Sequence, residues 1–255
     1  MSTLTTHTQA TRATPSSSNI GLCKFNTTSK AIEVSDGTNW LVYDYDSQTY
    51  GYSGSNTASM SFDGIDDYLQ SSSNISFASD FSLSFWIKPT NNNDCWFGLL
   101  NSATAFISSN TSGNIQVNGT VSTVGITTGE WNHILLSRSS STITIYKKSD
   151  TGNASGSITK SGTLSYNVLG RYTSGGYYHL GLMDEVAVFN TALSSTDATN
   201  IYNSGAPSDL YSYSSLTNWW RMGEEISGGT IPDVSNVNSN DLTVNGAVTS
   251  TDVPS

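Results

Sequence analysis

The sequence predicts an all-β fold, an antiparallel β-sandwich that carries one short helix. Short apolar runs recur along most of the chain, and turn-forming residues separate them. Apolar residues stand at every second position from Phe81 to Ile87, until Pro89 ends the run. Only 12% of the residues are charged and 36% are hydrophobic, while Ser, Thr, Asn and Gly supply much of the rest. Such a composition suits short strands joined by many turns.

Residues 1–19 are rich in Ser and Thr and contain scarcely an apolar side chain apart from Leu4. We predict an extended N-terminal arm here, because a segment without a core of its own becomes ordered only when another surface holds it. A partner chain or a neighbouring copy of this chain is the expected surface. The alternative is that the arm folds back onto its own domain.

Three short apolar runs within residues 20–54 predict a small β-meander, with a tight turn at Asp36 and Gly37 before the third run. The runs contain too few apolar residues to be stable alone, so we expect the meander to serve attachment or oligomerisation. Residues 46–57 are rich in Ser, Gly and Tyr and are interpreted as a linker. The large sandwich is expected to follow over residues 55–255.

The segment at 181–205 joins a strand to a capped helix. Residues 186–189 give the strand apolar side chains on both faces. Ser194 stands three residues before Asp197, which is the spacing of a capping box, and Gly205 is the predicted end of the helix.

The charge balance excludes some classes of function. The chain has 10 basic and 20 acidic residues, for a net charge of -10, and its only adjacent basic pair is Lys147 with Lys148. We therefore expect no binding to nucleic acid, which needs clustered basic residues. No run approaches the ~20 apolar residues of a membrane span, and the start of the chain lacks the apolar core of a signal peptide. Membrane insertion and routine secretion are not expected.

Four segments resemble the laminin-G-like members of the concanavalin A-like jelly rolls, in order and spacing, along residues 58–205. They are Phe62–Tyr68, Phe81–Pro89, Glu130–His133 and Gly181–Gly205. The resemblance implies two antiparallel sheets packed face to face. It also implies a domain of a kind that binds glycans, proteins or a structural calcium ion.

The C-terminal part differs from that family in strand order. In many family members a segment like Trp219–Glu224, followed by one like Asp233–Asp241, precedes the Phe-Asp-Gly motif, whereas here both follow the helix. The order looks circularly permuted, which is reasonable where the ends of a domain lie close together. We therefore expect residues 207–255, with a strand at 216–222, to complete the same sandwich and not to form a second domain.

The N-terminal meander resembles a second family. Arg12, Pro15, Phe25 and Trp40 stand in an arrangement like that of the attachment segment of bacteriophage tail-fibre and other virion proteins. The resemblance implies a protein on the surface of the virion, attached to other virion proteins through residues 1–50. It further implies a homo-oligomer, frequently a trimer.

The sequence does not predict an enzyme. Retaining glycoside hydrolysis needs two carboxyl groups roughly 5 Å apart, and none of the five glutamates stands in a Glu-x-Asp-x-x-Glu arrangement. Asp184 and Glu185 are neighbours, so on a regular strand their side chains are expected to point to opposite faces. The three histidines are scattered, no serine lies in a Gly-x-Ser-x-Gly elbow, and Cys23 and Cys95 are too few for a zinc site.

Asp63, Asp66 and Asp67 form the one acidic cluster beside a glycine turn. Carboxylates and backbone carbonyls are ligands that calcium prefers, so this turn is a candidate calcium site. The jelly-roll resemblance adds Asp184, because related domains often use an acid at the corresponding strand position for structural calcium. The alternative is that these aspartates cap turns and end strands. No other cofactor is expected.

A sugar-binding site needs an aromatic platform beside amide or carboxylate groups. Tyr172, Tyr177 and Tyr178 flank a Ser-Gly-Gly segment at 174–176 and are candidates for such a platform, as is Trp96, which follows an Asn-rich stretch. Aromatic loop residues also serve protein interfaces. We favour the interface here, because the N-terminal arm implies an assembly partner.

Together these patterns favour a non-enzymatic bacteriophage structural protein, either a tail fibre or a head fibre or decoration protein. Its lectin-like jelly roll is expected to serve host-surface adhesion or particle decoration. Recognition of a host-surface glycan and passive stabilisation of the particle are the two alternatives for the displayed domain. A bacterial carbohydrate-binding module or adhesin is the rival class, and a glycoside hydrolase is the third.

Overall fold

The structure is a computed structural model that describes residues 5–7, 23–26, 31–35, 38–44, 49–52, 56–172, 177–224, 226–235 and 237–255. The chain divides into two compact units. The first consists of Met1–Ser55 with Asp209–Ser214, and the second consists of Asn56–Ser208 with Ser215–Ser255. No helix among the described residues is long and apolar enough to cross a membrane.

The first unit contains one five-stranded sheet in which the strands follow one another in sequence order. They are β1 (Thr5–His7), β2 (Cys23–Asn26), β3 (Ala31–Ser35), β4 (Trp40–Asp44) and β5 (Thr49–Tyr52). β1 runs parallel to β2, and the other neighbours are antiparallel. β2, β3 and β4 occupy the three apolar runs that predict the meander.

The chain from Thr49 to Tyr52 is a strand, although its composition indicates a linker. It pairs with β4, so that Tyr50 lies opposite Tyr43 and Tyr52 lies opposite Leu41. Thr and Tyr favour the extended conformation, and this preference outweighs the Ser- and Gly-rich surroundings. The linker prediction is therefore wrong for these residues.

The second unit is a sandwich of two antiparallel sheets, which confirms the predicted fold class. Sheet I contains, from edge to edge, β12 (Thr120–Gly125), β11 (Asn114–Val117), β10 (Phe106–Ser109), β9 (Cys95–Gly98), β16 (Leu164–Leu169), β7 (Tyr68–Phe77), β22 (Leu242–Asn245) and β21 (Thr230–Ile231). Sheet II contains β15 (Ala154–Thr159), β14 (Thr142–Lys148), β13 (Asn132–Ser139), β8 (Phe81–Pro89), β19 (Leu180–Phe189), β6 (Ser59–Asp63) and β23 (Val248–Ser250), and β20 (Leu216–Trp220) pairs with β19. A separate hairpin is formed by β17 (Arg171–Tyr172) and β18 (Tyr177–Tyr178).

Apolar side chains from both sheets fill the space between them. Alternate residues of β8, from Phe81 to Ile87, lie in this core, as the two-residue period of a strand requires. The ring of Phe85 meets that of Phe97 edge-on at 5.0 Å and lies 5.8 Å from the Trp96 ring, both from sheet I. These contacts join the two sheets at the middle of the sandwich.

One helix, α1 (Ser195–Tyr202), follows β19. The predicted capping box is present, because Ser194 N donates to Asp197 Oδ2 at 2.8 Å and Asp197 N donates to Ser194 Oγ at 3.2 Å. The helix ends before the predicted Gly205. Asn203 adopts the left-handed conformation at φ 44° and caps the helix two residues earlier.

The outer face of sheet II is buried where α1 covers it. The ring of Tyr202 stacks on Trp86 of β8 at 5.4 Å, and the His133 ring lies 5.0 Å from the same tryptophan. The Ser84 hydroxyl and His133 Nε2 share a hydrogen bond of 2.8 Å. Burial, with a further contribution from the Lys148 charge, lowers the pKa of His133 to about 3. The ring is therefore a neutral, structural part of this layer.

Residues 216–250 contribute strands to both sheets. β20 and β23 pair with β19 and β6 in sheet II, and β22 pairs with β7 in sheet I. Trp220 and Met222 lie in the core, and the Trp220 indole donates to the Asn240 carbonyl at 2.9 Å. Asp209–Ser214, by contrast, belongs to the first unit.

A bulge in β19 brings two acidic residues to the same side of sheet II. The pairing of β19 with β8 shifts between Asp184 and Ala187, and Met183 and Val186 both lie in the core. Asp184 and Glu185 therefore both lie on the outer side, and the prediction that they point to opposite faces is wrong. The left-handed backbone of Glu185, at φ 46°, accommodates the extra residue.

A buried ion pair holds Glu185. Its Oε1 accepts a hydrogen bond from Arg221 Nε at 3.0 Å, and its Oε2 accepts one from the Trp219 indole at 2.6 Å. Charge-assisted bonds of this kind are stronger than neutral ones. They hold the C-terminal segment against the bulge of β19.

Two further carboxyl groups beside this ion pair have raised pKa values. Burial and the charges of Glu185 and Glu224 raise the pKa of Asp184 well above its ordinary value. Burial raises the pKa of Glu224 to about 7, although its Oε1 accepts from the backbone amides of Thr57 and Ala58 at 2.7 and 3.1 Å. The folded state therefore favours the protonated form of Glu224 up to about pH 7.

Replacement of Trp220 with Ala is expected to lower the free energy of unfolding by about 3–5 kcal/mol, because a large buried ring is lost and a cavity remains. Denaturant unfolding of the full chain measures this loss. Val248→Ala is the control, since Val248 is 62% exposed on β23 and its truncation is expected to cost less than about 0.5 kcal/mol. Equal losses from the two changes would contradict a core position for Trp220.

Glu224→Gln is expected to stabilise the protein near neutral and alkaline pH. A carboxyl group whose folded pKa is raised stabilises the fold below its unfolded pKa, and this contribution is lost as the pH rises through the folded value. The amide keeps an oxygen for Thr57 and Ala58 but carries no charge. The free energy of unfolding should rise by about 1–2 kcal/mol at about pH 8 and by less at about pH 5, after allowance for partial exposure of the side chain.

Glu130→Gln is the control for this experiment. Burial opposes the charge of Glu130, but hydrogen bonds from Thr151, Ser149 and Thr127 outweigh burial and lower the pKa of Glu130. Its neutralisation should therefore destabilise the protein at about pH 8. A loss of stability in both variants at that pH would refute the interpretation of Glu224.

Candidate functional site

The predicted acidic cluster is formed by the turn between β6 and β7. The carboxylates of Asp63, Asp66 and Asp67 each offer an oxygen, and these oxygens lie within 4.8 Å of one another. Asp63 Oδ1 accepts from the backbone amide of Ile65 at 2.8 Å, and Asp67 Oδ2 accepts from that of Asp63 at 2.9 Å. The aspartates thus cap their own turn. Calcium at this cluster stays a prediction.

The negative charges of the three aspartates in this turn repel one another. Burial, followed by the charges of Asp63 and Asp66, raises the pKa of Asp67 against the hydrogen bond from the Asp63 amide. A divalent cation would relieve this repulsion, and the carboxylate oxygens are of the type that calcium takes. The residues present therefore fit a calcium ion chemically.

Asp184 does not join this cluster. Among the described acidic, histidine and cysteine residues, the group close enough to share an ion contains only the three aspartates of the turn. Asp184 is fully buried on the outer side of β19, where its Oδ2 accepts from Asn56 Nδ2 at 2.9 Å. A calcium site that combines Asp184 with the turn is therefore a wrong prediction, because the residues occupy different parts of the strands.

A depression of about 290 Å³ lies on the outer face of sheet I, and we call it the tyrosine depression. It forms there because Ile107, Ile115 and Val117 point into the core, so that the polar and aromatic residues between them point outward. The hairpin β17–β18 supplies one wall. Its lining residues are Asn93, Asp94, Cys95, Phe106, Ser108, Ser109, Gln116, Tyr172 and Tyr177.

Two of the three predicted tyrosines meet in this depression. The Tyr172 ring lies 4.6 Å from Phe106 in an edge-on arrangement and 5.9 Å from the Tyr177 ring. Tyr177 is 54% exposed, so much of its ring is open to a ligand. Tyr178 does not line the depression and instead packs against the Arg171 guanidinium, which lies 5.5 Å from its ring.

The prediction that Trp96 is a binding residue is wrong. Its side chain has no exposed surface and lies in the core beside Phe85. The preceding Asn-rich stretch suggests an exposed loop, but β9 begins at Cys95 and all four of its residues are buried. The indole nitrogen donates to Asp94 Oδ2 at 3.3 Å, so Trp96 supports the depression from beneath.

Sequence reasoning missed the buried Asp94–His179 pair, of which Asp94 lines the depression. His179 Nδ1 lies 2.7 Å from Asp94 Oδ2, and both side chains are fully buried. Burial opposes the charge of His179, but the Asp94 charge and hydrogen bonds to Asp94 and Leu182 outweigh burial and raise its pKa. No local pattern joins two residues that stand 85 positions apart.

The sequence did contain a signal for another residue of the depression, Gln116. Gln116 stands between Ile115 and Val117, so the two-residue period of a strand places it on the outer face. Gln116 Nε2 donates to Ser108 Oγ at 2.9 Å across neighbouring strands. Phe106 and these polar groups could only be joined to the tyrosines once the strand order was known.

Of the four predicted attachment residues, the structure describes the side chain of Trp40 alone. Arg12 and Pro15 lie outside the described residues, and Phe25 belongs to β2, where the backbone alone is described. Trp40 begins β4 and its side chain is buried. The role of these four residues in attachment stays a prediction.

Comparison with known proteins agrees with this architecture. The sequence model of the laminin-G group described as the concanavalin A-like lectin/glucanases superfamily matches residues 63–199. No curated protein sequence matches the chain. Matches to solved structures comprise 44 chains.

Two of these structures illustrate the likeness. A candidate carbohydrate-binding protein from Bacteroides ovatus has a TM-score of 0.53 and 17% identity, and the alignment covers 80% of this chain and 62% of that one. This chain thus spans less than two thirds of the length of that protein. The heptameric pentraxin from Limulus polyphemus has a TM-score of 0.49 and 14% identity, with 77% of this chain and 95% of that chain covered.

The family match covers more than half of the chain and includes the acidic turn, the tyrosine hairpin and the start of α1. It agrees with the two packed antiparallel sheets of the second unit. The chain therefore belongs to the laminin-G-like group of the concanavalin A-like lectin/glucanase superfamily.

Proposed function

We propose that this chain is a non-enzymatic bacteriophage virion protein whose jelly roll binds a host-surface carbohydrate in the tyrosine depression. The observation that carries the proposal is the meeting of one exposed and one partly exposed tyrosine ring with amide and hydroxyl groups in one concave site. Sugar rings present apolar faces that pack on aromatic side chains, and hydroxyl groups that need polar partners. A member of a lectin-like family is suited to this role.

The chemistry of the depression supports a neutral sugar. Tyr172 and Tyr177 supply the aromatic surface, while Gln116, Ser108 and Asn93 supply amides and a hydroxyl. Asp94, the acidic residue of the lining, is paired with His179 and has no exposed side-chain surface. A protein interface on the same tyrosines is the alternative, but a concave site of this size favours a small ligand over a flat protein surface.

The positions of the buried acids support a binding role over catalysis. Asp184 and Glu185 lie on the outer side of sheet II and are almost fully buried. Glu185 is also held by Arg221 and Trp219. Carboxyl groups in this condition have no access to a glycosidic bond.

The virion role is supported by the resemblance of residues 12–40 to bacteriophage attachment segments. In this proposal residues 1–50 bind other virion proteins, the chain forms a homo-oligomer such as a trimer, and the jelly roll is displayed on the particle as a tail fibre or a head fibre or decoration protein. A bacterial carbohydrate-binding module is the second candidate. The same depression would serve it, but the N-terminal segment would have no assembly role.

Tyr177→Ala is expected to weaken retention of the full chain on host polysaccharide arrays about three- to tenfold, because an exposed stacking ring is lost. Tyr146→Ala is the control, since Tyr146 is a partly exposed tyrosine on β14 of sheet II. Both proteins are assayed with added calcium and with a chelator, which also tests the acidic turn. If the unaltered chain is retained neither with calcium nor with the chelator, the carbohydrate proposal is excluded.

Deletion of residues 1–50 is expected to abolish incorporation of the protein into phage particles while leaving the thermal unfolding of the jelly roll intact. Particle composition by mass spectrometry measures the first effect, and circular dichroism measures the second. Absence of the full chain from phage particles, with full carbohydrate retention by the truncated protein, would instead favour the bacterial binding module. Loss of folding in the truncated protein is detected by the same dichroism measurement.

A further inference from the structure

The His179 ring lies between two groups that only accept hydrogen bonds. Its Nδ1 lies 2.7 Å from Asp94 Oδ2, and its Nε2 lies 3.1 Å from the Leu182 carbonyl oxygen. The Leu182 carbonyl has no proton to give, so Nε2 donates to it. Asp94 accepts N–H bonds from three other groups, as a carboxylate does, so Nδ1 donates to Asp94. Neutral imidazole carries a single N–H, and only the doubly protonated imidazolium satisfies both contacts.

Asp94 connects this imidazolium to the strands on either side. Its Oδ1 accepts from the backbone amides of Cys95 at 3.0 Å and of Leu180 at 3.3 Å, and its Oδ2 also accepts from the Trp96 indole. One carboxylate therefore holds the start of β9 and the start of β19 together. The floor of the tyrosine depression is built on this arrangement.

The same residues close the hairpin that carries the tyrosines. The His179 amide donates to the Gly170 carbonyl at 2.8 Å, and the Gly170 amide donates to the Trp96 carbonyl at 2.8 Å. Tyr172 and Tyr177 lie on the hairpin between these two anchor points. A change in the position of His179 is therefore transmitted directly to the wall of the depression.

Other charged residues stand on the strands next to His179. β6 places the Phe62 ring 5.2 Å from the imidazole, and its Asp63 lies opposite Leu180. β8 places Lys88 opposite Leu182, and β17 places Arg171 opposite Tyr178. Asp94, which immediately precedes β9, is the ionisable side chain that hydrogen-bonds His179.

We propose that His179 is a positioning residue for the carbohydrate site and that its imidazolium, held by Asp94 and Leu182, sets the place of the tyrosine hairpin. Binding in the depression would then require a protonated His179 and decline when the pH rises. The second part of this inference, the pH dependence of binding, rests on the proposed carbohydrate function. Its first part, the charge state and the anchoring of the hairpin, stands on the described geometry alone.

The direction of the pH dependence follows from the raised pKa of His179. A group whose folded pKa exceeds its unfolded value of about 6.5 stabilises the fold fully below that value. The stabilisation is lost as the pH rises through the folded pKa. Above it, one contact places a nitrogen lone pair against an oxygen of Asp94 or Leu182, and the hairpin loses an anchor.

The test is a nitrogen NMR titration of the full chain from about pH 6 to about pH 10, in which the ring signals are assigned with His179→Gln and His133→Gln variants. His179 should show two protonated nitrogens at neutral pH and lose one on alkalinisation. His133, which is also fully buried, should show one protonated nitrogen throughout. A neutral His179 ring at pH 7 would overturn the inference.

Two further readouts separate positioning from a general effect on stability. The protection factor of the His179 amide, corrected for intrinsic exchange, should fall at least about tenfold as the ring titrates, while that of Ile145 in β14 stays unchanged. Asp94→Asn should abolish the double protonation of His179 at neutral pH. Hairpin protection that does not follow the ring titration would also overturn the inference.

Carbohydrate retention is then measured over the same pH range. Retention by the unaltered chain should fall at least about threefold as His179 loses its proton, and Lys148→Met, which alters a charge on sheet II, should not change the profile. Retention that is constant across the titration contradicts the positioning role. Failure to retain any polysaccharide at any pH refutes the proposed function, whereas the NMR and exchange results still decide the anchoring of the hairpin.

Discussion

The burial of apolar side chains between sheets I and II is the interaction on which the rest of the structure depends. Each fully buried aromatic or aliphatic side chain contributes about 1.5–3 kcal/mol relative to an exposed one, and the two sheets bring many such side chains together around Phe85, Trp96 and Phe97. This core fixes the distance and order of the strands. The outward-facing residues of sheet I, and with them the tyrosine depression, acquire their positions from it.

Buried charges are added to this core at two places where the chain departs from regular strands. Glu185 with Arg221 holds the bulge of β19 to the C-terminal segment, and Asp94 with His179 holds the tyrosine hairpin to β9. Removing two charges from water is costly, so such pairs persist where good geometry and additional hydrogen bonds offset the cost. In both cases the pair joins segments that are far apart in sequence, and it specifies how they meet.

The fold and the proposed function stand on different ground. Membership in a lectin-like superfamily establishes the sandwich, but members of one fold carry many functions, so the binding role is argued from the depression itself. The exposed ring of Tyr177, the partly exposed ring of Tyr172 and the neighbouring polar groups suit a carbohydrate. The role on a virion depends on residues 1–50, where the resemblance to attachment segments supplies the argument.

The sequence by itself determined the features that local rules govern. The alternation in β8, the capping box of α1 and the strand nature of residues 216–220 were all readable, because side-chain periodicity and capping depend on residues a few positions apart. The three aspartates of the acidic turn and the two tyrosines of the depression were also found. Their short sequence separation keeps them together in any fold that contains the turn or the hairpin.

Only the tertiary structure decided the burial of Trp96, the separation of Asp184 from the acidic turn, and the pairing of His179 with Asp94. A bulge reverses the facing of every residue beyond it, and strand order decides which distant residues become neighbours. Neither leaves a pattern within a short window of sequence. The chain thus specified its elements locally, while the packing of the two sheets determined which side chains form a site.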